Sequence, residues 1–144
     1  MNIIRIILTL IVLSSSIFGQ GIGAIKKSDY GSLIIGEWEG YNSMFQGTVR
    51  FSFKKDKTGE VKAIGGNSFD TRYFLDTSVA PIALKIAIDA VNGDMHAIIA
   101  FLSVDSLKIK MSADNNAATP MSFSNPDDNE TVVFRRIILN SPDR

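Results

Sequence analysis

The sequence contains no cysteine and only one histidine, His96, among its 144 residues. Without cysteine the chain cannot form a disulfide framework, a thiolate zinc site, a cysteine nucleophile or the acylated cysteine that anchors a lipoprotein. A single histidine also excludes a metal site made of several histidines. The composition therefore excludes the thiol-based and histidine-rich classes of functional site.

The sequence also lacks an excess of charge of either sign. Lysine and arginine total 15, as do aspartate and glutamate, which gives a formal net charge of +0 at pH 7. No strong positive field would therefore attract nucleic acid or an anionic membrane surface. The basic residues are scattered and poorly interleaved with aromatic residues, so we expect no nucleic-acid partner.

The N-terminal apolar run is too short to cross a membrane as a helix. It occupies residues 6–18 and is interrupted by serines at 14–16, whereas a spanning helix needs about 20 apolar residues. Arg5 precedes the run and small residues follow it, which is the organisation of a secretory signal peptide cleaved before Gln20. We therefore predict that residues 1–19 are removed and that no transmembrane anchor remains.

Removal of this segment would leave a chain of the size of one globular domain. We divide it into a lead-in segment over residues 20–33 with one short helical turn, a folded domain over 34–138 and a C-terminal tail over 139–144. An exported chain without cysteine points to a bacterial envelope or secreted protein. We therefore predict a periplasmic or extracellular location in a bacterium.

Apolar and polar residues alternate with a period of two in much of the predicted domain. Val49, Phe51 and Phe53 alternate with polar neighbours, as expected for a strand with one buried face. Turn residues such as Asn92-Gly93 separate the alternating segments, and no segment shows sustained helical periodicity. The predicted strands occupy residues 34–41, 47–55, 60–65, 71–76, 83–90, 95–103, 106–112 and 131–138.

These strands follow one another with mostly short connections. Such an order favours an all-β fold, an eight-stranded antiparallel up-and-down barrel, because closure removes the exposed edges of a sheet. A two-sheet sandwich is the structural alternative. The polar segment 114–130, which contains Pro120 and Pro126, is the longest predicted loop.

Several short motifs follow one another along these strands in a definite order. They are Gly36-Glu37-Trp38, Phe51-Ser52-Phe53, Tyr73-Phe74-Leu75-Asp76 with Pro81, Leu107-Lys108-Ile109, Pro120-Met121-Ser122-Phe123 and the closing Val132-Val133-Phe134-Arg135-Arg136. In their order and spacing, over about residues 34–137, the chain resembles the small secreted bacterial lipocalin-like domains, which are calycin-type β-barrels. It departs from their pattern after Pro81, where the family often has an aspartate and this chain has Leu84-Lys85.

The resemblance implies that an arginine at the end of the last strand covers the indole of Trp38 and closes one end of the barrel. Arg135 and Arg136 point to opposite faces of that strand, so only one of them can do this. We assign the contact to Arg136, which shares a face with Phe134, and expect a cation–π interaction of ~0.5–2 kcal/mol. Gly36, Trp38 and Arg136 are thus the predicted structural seal, and the alternative role of Trp38 is to line a ligand pocket.

No group of residues in the sequence has the organisation of a catalytic or metal site. His96 has serine and aspartate neighbours in the chain, but no Gly-x-Ser-x-Gly elbow presents a nucleophile. Glu37 and Glu39 share the outer face of one strand, where a solvated surface explains them better than a glycosidase pair. The oxygen-rich segments 114–116 and 127–130 lack the glycine and terminal glutamate of a calcium loop. We predict a protein that is not an enzyme and has no cofactor or metal ion.

The predicted interior is rich in bulky apolar side chains. An eight-stranded barrel is just wide enough to be filled by side chains or to hold one small ligand, and both give the same sequence pattern. We predict that a small hydrophobic molecule binds in the barrel mouth. The alternative is an envelope or extracellular protein-interaction module with a filled barrel and no small ligand. The predicted ligand-binding residues are Phe51, Phe53, Tyr73, Leu75, Ile86, Phe101, Met111 and Phe134.

The signal peptide gives the first testable prediction. Protein recovered from the exporting cell should begin at or near Gln20, because cleavage follows the small residues after the apolar run. N-terminal sequencing and intact mass measurement of the secreted or periplasmic protein check this. Recovery of the chain from the membrane fraction with Met1 still present would show that the run is an anchor.

Overall fold

A closed barrel of eight antiparallel strands forms the body of the protein, and each strand pairs with the next one along the chain. The computed structural model describes residues 25–43, 46–63, 65–112, 117–124 and 131–138. The predicted signal peptide and C-terminal tail lie outside these residues. The strands are β1 (Gly36–Asn42), β2 (Gly47–Phe53), β3 (Thr58–Ala63), β4 (Ser68–Asp76), β5 (Ile82–Ile88), β6 (Asp94–Ser103), β7 (Ser106–Met111) and β8 (Thr131–Arg136).

The lead-in to β1 is helical. A 3₁₀ turn, Lys27–Asp29, runs directly into the one-turn helix α1, Tyr30–Leu33, in agreement with the short helical turn expected there. Among the described residues, no helix has the length and apolar character needed to cross a bilayer.

The predicted barrel is confirmed in its strand number, antiparallel pairing and sequential order. It closes where β1 pairs with β8, with Trp38 opposite Arg136, so the two-sheet sandwich is wrong. The main difference lies in β4, which was expected from residue 71 and begins at Ser68. This extension of β4 pairs with β3, where Ser68 lies opposite Lys62.

Each strand buries one face, and these faces meet inside the barrel. The ring centroid of Phe51 lies 5.8 Å from that of Phe53 and 5.3 Å from that of Phe134. Full burial of a large apolar side chain contributes about 1.5–3 kcal/mol, so this core is the main source of stability. The other buried core residues are Ile34, Trp38, Val49, Tyr73, Ile82, Leu84, Ile86, Ala97, Ile99, Leu107, Ile109, Met111 and Val132.

The two ends of the barrel carry different connections. The closed end is the one that carries α1, the β2–β3 and β6–β7 turns and the last residue of β8, Arg136. The open end is the one that carries the β1–β2, β3–β4 and β5–β6 loops. At the closed end the backbone N–H of Ile137 also donates to the carbonyl oxygen of Glu37 over 2.8 Å. The start of β1 and the end of β8 are thereby joined.

The described segment 117–124 lies against the outside of the barrel. The hydroxyl oxygen of Thr119 is 3.3 Å from Nδ1 of His96 on β6, and Nζ of Lys108 on β7 lies 4.2 Å from the centre of the Phe123 ring. Ile98 faces outward on the same part of β6 and is nevertheless only 1% exposed. His96 is half-buried on this covered outer face.

The seam between β1 and β8 depends on a residue without a side chain. A Cβ atom at Gly40 would lie 2.8 Å from the carbonyl oxygen of Val133 and 2.9 Å from Cγ1 of Val132. Both distances are shorter than real Cβ contacts, and one of the two partners is backbone. Glycine at position 40 therefore lets the last strand approach the first.

The second prediction follows from this close approach. Gly40→Ala should lower the free energy of unfolding by about 1–3 kcal/mol, because the added methyl group overpacks the seam. Gly31→Ala is the matched control, since a Cβ atom at Gly31 in α1 would meet nothing within 4 Å. That change should be neutral or stabilise the fold by up to about 1 kcal/mol. Urea unfolding followed by the emission of Trp38 measures both, and equal midpoints would show that β1 and β8 do not pack this closely.

Candidate functional site

Arg136 lies at the closed end and binds two separate parts of the chain. Its Nη1 donates to the carbonyl oxygen of Ile35 over 2.7 Å, and its Nη2 donates to that of Leu33 over 2.6 Å. Nε and Nη2 donate to the carbonyl oxygen of Val104 in the β6–β7 turn over 3.2 and 3.0 Å. Nε also lies 3.1 Å from Oδ1 of Asp105, forming an ion pair. One guanidinium group therefore connects the lead-in helix, the β6–β7 turn and the last strand.

The same guanidinium group lies over the indole of Trp38, with its central carbon 4.3 Å from the ring centroid. Trp38 is fully buried, and its Nε1 donates to the carbonyl oxygen of Ile34 over 2.8 Å. Phe101 contacts the indole edge-on at 6.2 Å, and Tyr30 of the helix stacks on Phe101 at 5.4 Å. The indole is thus contacted by the cation of Arg136, by the ring of Phe101 and by the backbone directly after the helix.

Gly36 completes this arrangement at the start of β1. Its φ of +129° is a conformation that L side chains rarely adopt, and a Cβ atom there would lie 2.6 Å from Nη1 of Arg136. The structure therefore brings together the three residues of the predicted seal, Gly36, Trp38 and Arg136, at the closed end. Trp38 covers that end and does not line the cavity at the other.

A cavity of about 330 Å³ lies at the open end of the barrel. Phe51, at its inner end, stacks on Phe53 and tilts against Phe134, so the cavity ends where the aromatic core begins. Phe69 and Val91 stand at its rim and are 37% and 40% exposed. The lining side chains are all apolar: Val49, Phe51, Val61, Ala63, Phe69, Ile88, Val91, Met95 and Met111.

The size of the side chains along each strand explains where the cavity forms. On β2 the inward residues are Phe53 nearest the closed end, then Phe51, then Val49 nearest the open end. Val49 lies opposite Ala63 of β3, so two small side chains are neighbours where the barrel opens. Along β2, large rings fill the closed half, while Val49 and its neighbour Ala63 leave space in the open half.

The described charged side chains that form ion pairs lie away from this cavity. On the outer face, Nη2 of Arg50 lies 2.8 Å from Oε2 of Glu39, and Nζ of Lys85 lies 3.0 Å from Oδ2 of Asp94. The hydrogen bond to Glu39 raises the pKa of the Arg50 guanidinium. Among the described residues no cluster of histidine, aspartate and glutamate could hold a metal ion. The chemistry available inside the cavity is therefore apolar contact.

The predicted ligand-binding residues occupy two different regions of the barrel interior. Phe51 and Met111 line the cavity. Phe53, Tyr73, Ile86 and Phe134 are buried in the core, and Leu75 and Phe101 pack against it.

Tyr73 is held by the β2–β3 turn at the closed end. Its hydroxyl group donates to the carbonyl oxygen of Lys54 over 2.7 Å. Burial raises the pKa of this phenol, and the nearby negative charge of Asp56 raises it further. The pKa of Asp56 is lowered because its carboxylate accepts hydrogen bonds from the hydroxyl and backbone N–H of Thr58. Tyr73 therefore anchors a turn instead of facing the cavity.

Several lining residues were not in the predicted set. Phe69 belongs to the part of β4 that was not predicted as a strand, and Val91 lies in the β5–β6 loop. Val61 and Met95 could have been predicted as inward residues. Each lies on an alternating strand directly opposite an inward residue, which is Phe51 for Val61 and Ile86 for Met95. Strand pairing, once known, identifies them as inward residues near the open end.

Comparisons with protein-family models, with curated proteins and with solved structures find no match for this chain. By its architecture the barrel is compatible with a calycin-like fold. Function is therefore inferred from the geometry of the closed end and the cavity.

The third prediction concerns Arg136. Arg136→Ala should lower the free energy of unfolding by about 2–4 kcal/mol, because it removes charge-assisted hydrogen bonds and the cation over the indole. The emission of Trp38, the only tryptophan, should also shift to longer wavelength as water reaches the ring. Urea unfolding and fluorescence spectra measure both effects.

Two further variants test the geometry. Arg135→Ala is the matched control on the exposed face of β8 and should change stability by less than about 0.5 kcal/mol. Arg136→Lys keeps the charge, but an ammonium group lacks the planar fork that reaches the carbonyl oxygens of Leu33 and Ile35 together. It should therefore recover only part of the loss. If the two alanine variants are equally stable, Arg136 does not hold the closed end.

Proposed function

We propose that this protein is an exported, lipocalin-like binding protein of the bacterial periplasm or extracellular space that takes up one small apolar molecule. The observation that carries the proposal is the cavity of about 330 Å³ at the open end, lined only by apolar side chains. Small-molecule sites in proteins are concave and mostly apolar. The ligand would enter between the β1–β2, β3–β4 and β5–β6 loops.

The closed end supports this proposal because it makes the barrel accessible from one side. Arg136 and Trp38 cover the end that carries α1, so an apolar guest would be shielded from water there. The aromatic core behind Phe51 blocks the barrel between the cavity and that end. In a site with one opening, the ligand is held by burial and leaves through the opening by which it entered.

The rim supplies a driving force for binding. Phe69 and Val91 expose 37% and 40% of their surface, and both line the cavity. A ligand that covers these side chains removes apolar surface from water, which contributes roughly 25 cal/mol for each Å² buried. The proposed binding is therefore driven mainly by the hydrophobic effect.

The volume limits the size of the guest. A cavity of roughly 150 Å³ holds one benzene molecule, and the present cavity of about 330 Å³ is about twice as large. Ligand pockets in proteins begin at roughly 300 Å³. The guest would therefore be a molecule of one or two rings or a short chain.

The lining side chains include no acid, base or nucleophile. The proposed role is therefore to bind a ligand without converting it, and it requires no cofactor or metal ion. The cavity favours this role over the alternative of a protein-interaction module, since that alternative requires a filled barrel.

The fourth prediction uses 6-propionyl-2-(dimethylamino)naphthalene, a neutral two-ring dye whose fluorescence rises in a dry site. The protein should bind it with a saturable increase, and Ala63→Leu should weaken binding at least about fivefold, because overfilling an apolar space costs about 1–3 kcal/mol. Ala87→Leu is the matched control, since Ala87 lies on the outer face of β5 beside Arg72. It should leave the affinity unchanged. Equal dye binding by both variants, or none by the unmodified protein, would refute binding in this cavity.

A further inference from the structure

We infer that the cavity selects an uncharged, flat aromatic molecule of one or two rings. This inference rests on the proposed function and specifies the chemical class of its ligand. It depends on the chemistry of the lining and on the strands from which the lining side chains come.

The ligand is uncharged because nothing in the lining can solvate a charge. The lining side chains carry no nitrogen or oxygen atom, and the strands that bear most of them pair on both sides within the closed barrel. Moving an ionised group into such a place costs several kcal/mol without a compensating partner. A polar substituent on the ligand would have to remain at the mouth, in contact with water.

The ligand is aromatic because methionine and phenylalanine face each other across the cavity. Strand order in a closed eight-stranded barrel places β6 and β7 opposite β2 and β3. Met95 and Met111 come from β6 and β7, and Phe51 comes from β2. A ring between them would contact thioether sulfur on one side and a phenyl ring on the other.

Both contacts favour a ring over a saturated guest of the same size. A thioether beside an aromatic ring contributes about 0.3–1.5 kcal/mol, and a pair of aromatic rings contributes about 0.5–1.5 kcal/mol beyond the burial of area. Phe51 lies at the inner end of the cavity and is fixed by its contacts with Phe53 and Phe134, with 2% of its surface exposed. A flat ring also loses no internal rotations on binding, whereas a flexible chain does.

Met95 and Met111 form one continuous wall of the cavity. Met111 lies opposite Ala97 of β6, which is two residues from Met95 and on the same face. The two thioethers are therefore diagonal neighbours with the small side chain of Ala97 between them. Met111 is 7% exposed and Met95 is half-buried, so the wall extends from the interior towards the mouth.

The fifth prediction compares naphthalene with decahydronaphthalene, which has the same carbon skeleton without the aromatic rings. The full protein should bind naphthalene about two- to tenfold more tightly, the factor expected from the sulfur contacts alone. The carboxylate 2-naphthoate should bind at least about tenfold more weakly than naphthalene, because its charge has no partner in the cavity. Nuclear magnetic resonance titration, which follows the methionine methyl signals, measures all three affinities.

Methionine variants test the cause of the preference. Met95→Leu and Met111→Leu conserve volume and apolar character, so each should lower the ratio of the affinity for naphthalene to the affinity for decahydronaphthalene. Met121→Leu is the matched control, because Met121 is 89% exposed on the segment outside the barrel. The emission of Trp38 at the closed end shows whether each variant is folded, and the comparison of the two hydrocarbons on the unmodified protein requires no variant.

The outcomes separate the inference from the proposed function. If decahydronaphthalene binds as tightly as naphthalene, the aromatic assignment is overturned and apolar binding stands. If both leucine variants keep the full preference for naphthalene, the assignment of that preference to the two methionines is overturned. If 2-naphthoate binds as well as naphthalene, the requirement for an uncharged ligand is overturned. If neither hydrocarbon binds, the proposed function and the inference fail together.

Discussion

The stacking of Arg136 on Trp38 makes the two ends of this barrel different from each other. The guanidinium group satisfies backbone carbonyl oxygens of Leu33, Ile35 and Val104 while its face covers the indole. Such a cluster needs a planar cation with several donors, which lysine does not provide. Because it holds the lead-in helix across the end of the barrel, water reaches the interior from the opposite side. The end at which the proposed binding site opens is therefore determined by a contact at the opposite end of the barrel.

The cavity lies where the inward side chains of β2 change from large rings to a small side chain. The rings of Phe53, Phe51 and Phe134 are in contact with one another, and the space begins beyond them, where Val49 meets Ala63. Protein interiors are close-packed, and a core that could collapse around a void would do so. Here the strands are fixed by their pairing in a closed barrel, so small side chains at the open end leave room that the backbone cannot fill.

Period-two alternation was sufficient to predict the strands and their order, because each strand buries one face. It failed at the start of β4, where Phe69 is a single apolar residue between Ser68 and Asp70. The predicted set of ligand-binding residues combined cavity and core residues for a related reason. Alternation tells which side chains point inward, but not how far along the barrel each lies. Depth depends on register, which places Phe101 beside Trp38 at the closed end. The seal could be predicted because Gly36 and Trp38 lie at the start of the first strand and Arg136 lies at the end of the last, and short motifs identify both strands.

The hydrogen bonds of Arg136 also bear on the order in which the protein acquires its structure. The guanidinium group joins residues that are 101 and 103 positions away in the chain. Contacts of such long sequence separation form late, since the entropy of closing a long loop must be overcome first. The last strand supplies both the final seam and the arginine that fixes the helix. During synthesis from the N-terminus, the sheet therefore remains open, without a sheltered interior, until β8 is available to fold.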